Sequence, residues 1–400
     1  MKKNTTPHQS QAFIPAGIDE PILLESNSSS KVETMHLNYP ENAKIGYAIV
    51  GLGHLTLNQI LPAMKECKKS KISALVSGSL EKLRKTGEMY DIPESAQYLY
   101  EEFEQISENK NIDAVFIVLP NSKHKEFTLR SAKAKKHVLC EKPMAINSQE
   151  CQEMIDACKA AAVKLMIAYR IQYEPYNHYV RQEIEEHSIG TVKFIQTHNG
   201  QPSHQPEHWR YIKDLAGGGA LFDIGIYCLN TMRFLLDSEP LEVYAHQYSN
   251  PLDPSFQEIE EMVNWQMKFP DDIIVQCSTS YQIHTSRKYE IYGDGGWMIL
   301  DDAYSYEGQK LIISKPEENL LKKEIKISPV NQFTQEIDYF SECILNDTEP
   351  YTSGEVGLQD LMIMEAIYES AQTNEPISLS HRLPKSIKRG NKPEIKLQEK

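Results

Sequence analysis

The stretch HVLCEKPMA, residues 137 to 145, ends an apolar run with an acid, a lysine and a proline. A lysine at the end of a buried strand is costly unless a negative or developing negative charge meets it there. Pro143 restricts the backbone of the residue before it, so Lys142 is aimed rather than loose. A second cluster lies in LAGGGALFDIGIYCLN, residues 215 to 230. There Gly217, Gly218 and Gly219 precede a helix and permit close backbone approach, and Asp223 and Tyr227 are four apart and share one face of that helix, which is otherwise apolar. Each residue alone reads as structural: Lys142 as a surface partner of Glu141, Asp223 as a carboxylate at a helix start, Tyr227 as a core tyrosine with a bonded hydroxyl. Together they can move a proton. A phenol has a reference pKa of about 10, too high for a base at neutral pH, and a nearby ammonium stabilises the phenolate. On this reading Tyr227 is the acid/base and Lys142 is the cation that tunes it, with the reacting oxygen between them. Asp223 orients Lys142 or a substrate hydroxyl, and Lys142 is the fallback proton carrier.

These residues need a scaffold that brings position 142 to position 223. From residue 44 short, almost fully apolar strands (KIGYAIV, ISALVSG, IDAVFIVLPN, HVLCE, KLMIAY) alternate with helical stretches. That pattern indicates a parallel sheet covered on both faces, a doubly wound α/β domain over residues 43–170. From 171 to 378 the segments TVKFIQTHNG, LEVYAHQYSN, EMVNWQMKFP, DIIVQCSTSY and RKYEIYGDGG alternate apolar with polar residues. With WMILDD after them, they predict an α+β domain with a large, open, mostly antiparallel sheet. Residues 1–42 read as a disordered leader or an extended arm, and the basic segment 379–400 as a solvated tail.

In a parallel sheet, ligands bind beyond the carboxyl ends of the strands. The residues that fall there are Gly51, Gly53, His54 and Leu55 after the first strand, Ser77 after the second, Leu119, Pro120, Asn121 and His124 after a later one, and Glu141 with Lys142. Gly51 permits a tight turn and Gly53 lets backbone approach a pyrophosphate at a helix start, with Thr56 standing where a third glycine is usual. A dinucleotide site is the expectation. The end of the second strand carries Ser77 rather than Asp or Glu, followed by Lys82 and Arg84. No carboxylate there would repel a 2′-phosphate, which favours NADP over NAD.

The motifs GYAIVGLG, LNQILPAM, ALVSGSLEK, IDAVFIVLPNSKH, KHVLCEKPMA, MIAYRIQYEPYN, LAGGGALFDIGIYCLN, NWQMKF and AIYESAQ resemble those of the Gfo/Idh/MocA oxidoreductases over roughly residues 44 to 378, and most of all the glucose–fructose oxidoreductase branch. The resemblance implies a Rossmann domain beside an open-faced sheet domain, a tightly held NADP and a sugar substrate. It places Lys142 at the lysine of the family's Glu-Lys-Pro motif, and Asp223 and Tyr227 at its acid and tyrosine. It places Ser77 and Lys82 on the 2′-phosphate, and Arg170, Trp209, Arg210 and Tyr281 around the cofactor. It also implies pairing into a homodimer or homotetramer through the sheet. The loop His54-Leu55-Thr56 and the lack of a periplasmic export leader depart from the branch.

The net charge of −14 and a pI near 5.5 disfavour nucleic-acid and anionic-membrane binding. The seven cysteines form no CxxC pair and read as free thiols of a cytoplasmic protein. No run approaches the roughly 20 apolar residues of a membrane span. His204 and His208 have metal-like spacing, but Pro206 breaks the helix that would align them, so no metal site is expected. Two other functions compete. A dinucleotide-sensing regulator of the same fold needs only the glycines, not Lys142, Asp223 and Tyr227. A glycoside hydrolase with a retained NAD would want an acid in place of Ser77.

Overall fold

The computed structural model describes residues 45–203, 206–315, 322–384, 387 and 389–395. The N-terminal segment expected as leader or arm, and His204, lie outside the described residues.

Six parallel strands form the first sheet: β1 Ile45–Val50, β2 Ser70–Ser77, β3 Gln97–Leu99, β4 Ala114–Ile117, β5 His137–Glu141 and β6 Leu165–Ala168. Their order is β3-β2-β1-β4-β5-β6, so the strand order reverses between β1 and β4. Every residue of β1, β4 and β6 is buried, which is why those strands read as continuous apolar runs. After β1 the chain enters a widened helical turn, Thr56–Ile60, and then α1 Leu61–Met64. Helices α2 Leu80–Met89, α3 His124–Lys133 and α4 Ser148–Ala161 follow. The starts of α2 and α4 are set by Ser79 and Asn147, whose side chains accept the backbone N–H of Lys82 and Glu150.

Nine strands form the second sheet: β7 Val192–Gly200, β8 Glu242–Tyr248, β9 Met262–Lys268, β10 Ile274–Ser280, β11 Ser286–Gly293, β12 Trp297–Asp301, β13 Lys310–Ser314, β14 Lys322–Ile325 and β15 Ile377–Ser378. All neighbours are antiparallel except β7 and β10. The pattern of alternation anticipated β7 to β12. The short strands β13, β14 and β15 carry too few residues to show one. Helices α5 Pro175–Glu185, α6 Lys213–Ala216, α7 Ile226–Leu236, α8 Gln332–Leu345 and α9 Gly354–Thr373 complete the chain. α7 and α9 cover one face of the sheet. On the other face Gln196, Asn264 and Gln266 stay exposed between buried neighbours. The run Lys213–Leu236 is long and apolar enough to cross a bilayer by composition, but 83% of its most apolar stretch is buried inside the protein, as in a core helix.

Two expectations about the C-terminal half need correction. α8 does not serve the second sheet; it lies against the first. The Tyr47 hydroxyl lies 2.8 Å from Ser341 Oγ, and Asp338 accepts the backbone N–H of Lys68 and Lys69 at 2.6 and 2.9 Å. A division of the chain at 170 therefore separates the strands but not the helices. The described part of the basic tail is docked rather than solvated. Arg389 pairs with Glu239 and Lys392 with Glu185, each at 2.8 Å, because the end of α7 and the side of α5 present an acidic surface to it.

Candidate active site

All the carboxyl-end loops of the first sheet open into one cleft of about 1020 Å³, walled on the other side by β7, β11, the loop after β12 and the start of α8. Gly51 begins the turn after β1 with φ +97°, and a Cβ there would lie 2.1 Å from the Val118 carbonyl oxygen, so only glycine fits. Thr56, in the place of a third glycine, is fully buried, and its hydroxyl donates to the Gly51 carbonyl at 2.6 Å. The substitution thus closes the turn instead of weakening it. Gly53, His54 and Leu55 line the cleft, as do Leu119, Pro120 and Asn121, the last anchored by its Nδ2 on the Ala216 carbonyl at 2.7 Å.

At one end of the cleft lie Ser77, Gly78, Ser79, Lys82 and Tyr100. Ser77 Oγ accepts the Ser79 N–H at 3.2 Å, and Lys82 Nζ reaches across to the Leu52 carbonyl at 3.3 Å. The carboxyl end of β2 presents hydroxyls and an ammonium, with no acid. Arg84 is exposed and is not among the lining residues, since two residues along a helix is about 200° around it. It is not the second cation of this end.

Lys142, Asp223 and Tyr227 meet at the other end. Lys142 Nζ donates to the Asp223 backbone carbonyl at 2.7 Å and lies 3.8 Å from its Oδ1. The ammonium sits 4.6 Å from the centre of the Tyr227 ring, over its face, not across a reacting oxygen from it as expected. The reason is a widened helical turn, Leu221–Gly225, before α7. Such turns free carbonyls from the regular ladder and recur at functional sites. Here the carbonyls of Asp223 and Ile224 accept from the side chains of Lys142 and Asn199. The Lys142–Pro143 bond is cis.

Asp223 holds three partners together, Lys142, Arg210 and Tyr281. Arg210 Nε donates to its Oδ1 at 3.2 Å and the Tyr281 hydroxyl to its Oδ2 at 2.9 Å. Burial raises its carboxyl, but Arg210, Lys142 and the Tyr281 hydroxyl outweigh that and hold it below its ordinary value, so it is ionised. Glu141, also on the cleft, goes the other way: burial pushes it up to about 7, against the pull of Lys142 and Arg170. Trp209 lines the cleft with the Arg210 guanidinium 4.5 Å from its ring centre.

Three sequence expectations fall behind the cleft wall. His124 is fully buried, its ring nitrogens each 2.9 Å from the carbonyl oxygens of Leu119 and Pro143, so it braces two cleft loops and does not line the cleft. Tyr281 is 1% exposed and acts on the cleft only through Asp223. Gly217, Gly218 and Gly219 admit no ligand either. A Cβ on Gly219 would lie 2.2 Å from the Glu260 carbonyl oxygen, and the Glu260 carboxylate accepts the N–H of Gly219 and Leu221. Arg170 does reach the cleft, but its guanidinium is committed to the loop after β12 and to α8. Arg287, Tyr306 and Gln332 also line the cleft; they sit in three separate segments and no motif marks them. Among the described residues no group of His, Cys, Asp and Glu could hold a metal, and all seven cysteines are free and buried.

Residues 45–169 match the profile described as the oxidoreductase family with an NAD-binding Rossmann fold, and residues 177–299 match the GFO/IDH/MocA C-terminal domain. The chain belongs to the GFO/IDH/MocA oxidoreductase family. It is 32% identical over 341 residues to a D-xylose 1-dehydrogenase [NADP(+)] of Haloarcula marismortui, covering 84% of this chain and 93% of that protein. An aldose-aldose oxidoreductase from Caulobacter crescentus, solved in complex with glycerol, superimposes with a TM-score of 0.82 at 40% identity, over 84% of this chain and all of that one. A levoglucosan dehydrogenase solved with NADH and levoglucosan shares the fold, with a TM-score of 0.75 at 20% identity over 84% of this chain and 99% of that one.

Proposed function

We propose that this GFO/IDH/MocA oxidoreductase is an NADP-dependent sugar oxidoreductase, acting on a CH–OH group of an aldose, ketose or polyol. The observation that carries the reading is the cleft itself. An extended cavity joins a nucleotide end, with a glycine turn and a carboxylate-free Ser77–Lys82 corner, to an end where Lys142, Asp223 and Tyr227 converge. Its volume suits a dinucleotide followed by one sugar. The similar D-xylose dehydrogenase and aldose-aldose oxidoreductase support the same class of substrate. A sensor would need only the nucleotide end.

The backbone N–H groups from Gly51 to Leu55 and the helix start suit a pyrophosphate, Ser77 and Lys82 a 2′-phosphate, and Leu119, Pro120 and Glu141 the wall toward the nicotinamide. NADP, when bound, supplies the hydride acceptor. Tyr227 Oη takes the proton of the sugar hydroxyl as its carbon becomes a carbonyl, and Lys142 Nζ steadies the charge that develops on that oxygen. Asp223, with Arg210 and Tyr281 behind it, keeps Lys142 in place.

Denaturing the purified protein and weighing the released nucleotide, followed by an aldose and polyol panel with NADP and NAD, tests the function. NADP-linked turnover of at least one aldose is expected; nucleotide binding without turnover of any sugar would leave the sensor reading in its place.

The second sheet leads to an expectation about assembly. Its uncovered face is broad and polar, with Gln196, Asn264 and Gln266 exposed on it, so the expectation of pairing comes from the family resemblance and not from an apolar surface. Light scattering at micromolar concentration should give a dimer or a dimer of dimers through this sheet; a monomer contradicts it.

A further inference from the structure

We infer that Arg170 is a positioning residue of the proton-transfer step, a second cation fixed on the Tyr227 ring beside Lys142; the inference rests on Tyr227 being the acid/base. The Arg170 Cζ lies 4.8 Å from the centre of the Tyr227 ring and 4.6 Å from that of Tyr306, against 4.6 Å for Lys142 Nζ on Tyr227. Arg170 is 5% exposed, and it is held by neutral acceptors: the Tyr304 carbonyl at 2.6 Å, Gln332 Oε1 at 2.7 Å and the Ser305 carbonyl at 3.3 Å. A guanidinium so tethered has one geometry, and that geometry places its charge over the ring.

What the charge acts on depends on whether an acid cancels it. Among the described residues no carboxylate forms an ion pair with Arg170. Its acidic neighbours are Glu141, Glu174 and Glu336, and burial raises all three. Glu141 and Glu174 are pushed up to about 7, and Glu336, fully buried with neither carboxylate oxygen hydrogen-bonded, goes further. Near neutral pH they offset the guanidinium only in part, so its field reaches the two rings stacked on it. Tyr306 is pushed up to about 12 by burial even with Arg170 opposing, and stays a phenol. Tyr227 is the ring that also carries Lys142. The other charged and titratable groups around Tyr227 are Asp223 on its own helical run, Arg210 bonded to Asp223, Arg287 from β11, and Tyr304, whose ring centre is 6.1 Å away. A cation over an aromatic face favours the phenolate over the phenol, because the ionised ring is richer in electrons. During oxidation the sugar O–H bond breaks toward Tyr227 Oη, and NADP, when bound, would accept the carbon-bound hydride. Arg170 acts on the Tyr227 phenol, over whose ring it stands.

The test compares Arg170→Gln and Gln332→Glu with the unmodified protein across pH, at saturating NADP. Gln332→Glu keeps an acceptor on Arg170 and places a neutralising carboxylate there, so it serves if Arg170→Gln fails to fold. Both variants should lose about 10–100-fold in kcat near pH 7. The loss should shrink as pH rises, because a higher pH ionises the phenol without the cation, and the Kd for NADP should stay within roughly threefold. A loss equal at every pH, or an unchanged kcat with weakened NADP binding, overturns the inference. An ultraviolet difference titration of the phenolate, with Tyr227→Phe as the blank, reads the same displacement without any sugar. Failure of the proposed sugar activity is thereby kept apart from failure of this assignment.

Discussion

Lys142→Ala yields a folded protein that still carries its nucleotide and turns over sugar about 10²–10⁴ times more slowly. The fold survives because Lys142 is not the sole partner of anything structural: Asp223 keeps Arg210 at 3.2 Å and the Tyr281 hydroxyl at 2.9 Å, and its carbonyl can accept water in the opened cleft. The nucleotide stays because the residues proposed to hold its phosphates, Gly51–Leu55, Ser77 and Lys82, line the cavity away from Lys142. What is lost is the charge within 4.6 Å of the Tyr227 ring and the donor that meets the reacting oxygen. Both matter more in the transition state, where negative charge builds on that oxygen, than with the neutral sugar bound, so kcat falls rather than KM rising. Tyr227→Phe should lower kcat as well and flatten its pH dependence. Steady-state kinetics with thermal melts and nucleotide release as controls decide the matter. A Lys142→Ala enzyme with undiminished kcat reduces Lys142 to a surface charge aimed by Pro143.

How far these features could be read from the chain follows from the range of the interactions that set them. β1, β4 and β6 were legible because burial on both faces leaves no polar position to confuse the period. The Gly51 turn was legible because a single strained backbone angle dictates the residue. Lys142 and Asp223 were legible as a pair of oddities, each in a place where its charge needed a reason. Arg170 was placed on the cofactor, and only the loop after β12 and the start of α8, more than 130 residues away in sequence, show that its Nη1 and Nη2 are already committed. Gly217 to Gly219 were read as permitting close backbone approach; what approaches is protein, Phe222 and Ile146 at Gly217, Tyr368 at Gly218 and Glu260 at Gly219. The docking of residues 389–395 depends on acids at Glu185, Asp237 and Glu239 that no local pattern could join to the tail.

Ser77→Asp reverses the cofactor preference. In the unmodified protein the carboxyl end of β2 offers Ser77 Oγ, Ser79 and the Lys82 ammonium, which spans to the Leu52 carbonyl and so sits between the glycine turn and α2. A 2′-phosphate finds donors there and no like charge. An aspartate at 77 fits the same space, since Ser77 is already an acceptor for the Ser79 N–H at 3.2 Å. It adds a fixed negative charge to a corner that is 4% exposed at this residue. Two like charges about 4 Å apart repel by about 4 kcal/mol at an effective dielectric of ~20. Lys82 screens part of that, which leaves an expected change of order 10²–10³ in the ratio of NADP to NAD affinity. The same carboxylate can accept both ribose hydroxyls of NAD, so NAD should bind more tightly in the variant, not merely NADP more weakly. Adding Lys82→Ala should weaken NADP further and leave NAD nearly unchanged. Fluorescence titration of the four proteins with each nucleotide measures the cycle. The assignment of this corner fails if the unmodified protein binds NAD and NADP equally, because Ser77 and Lys82 would then be reading nothing on the ribose.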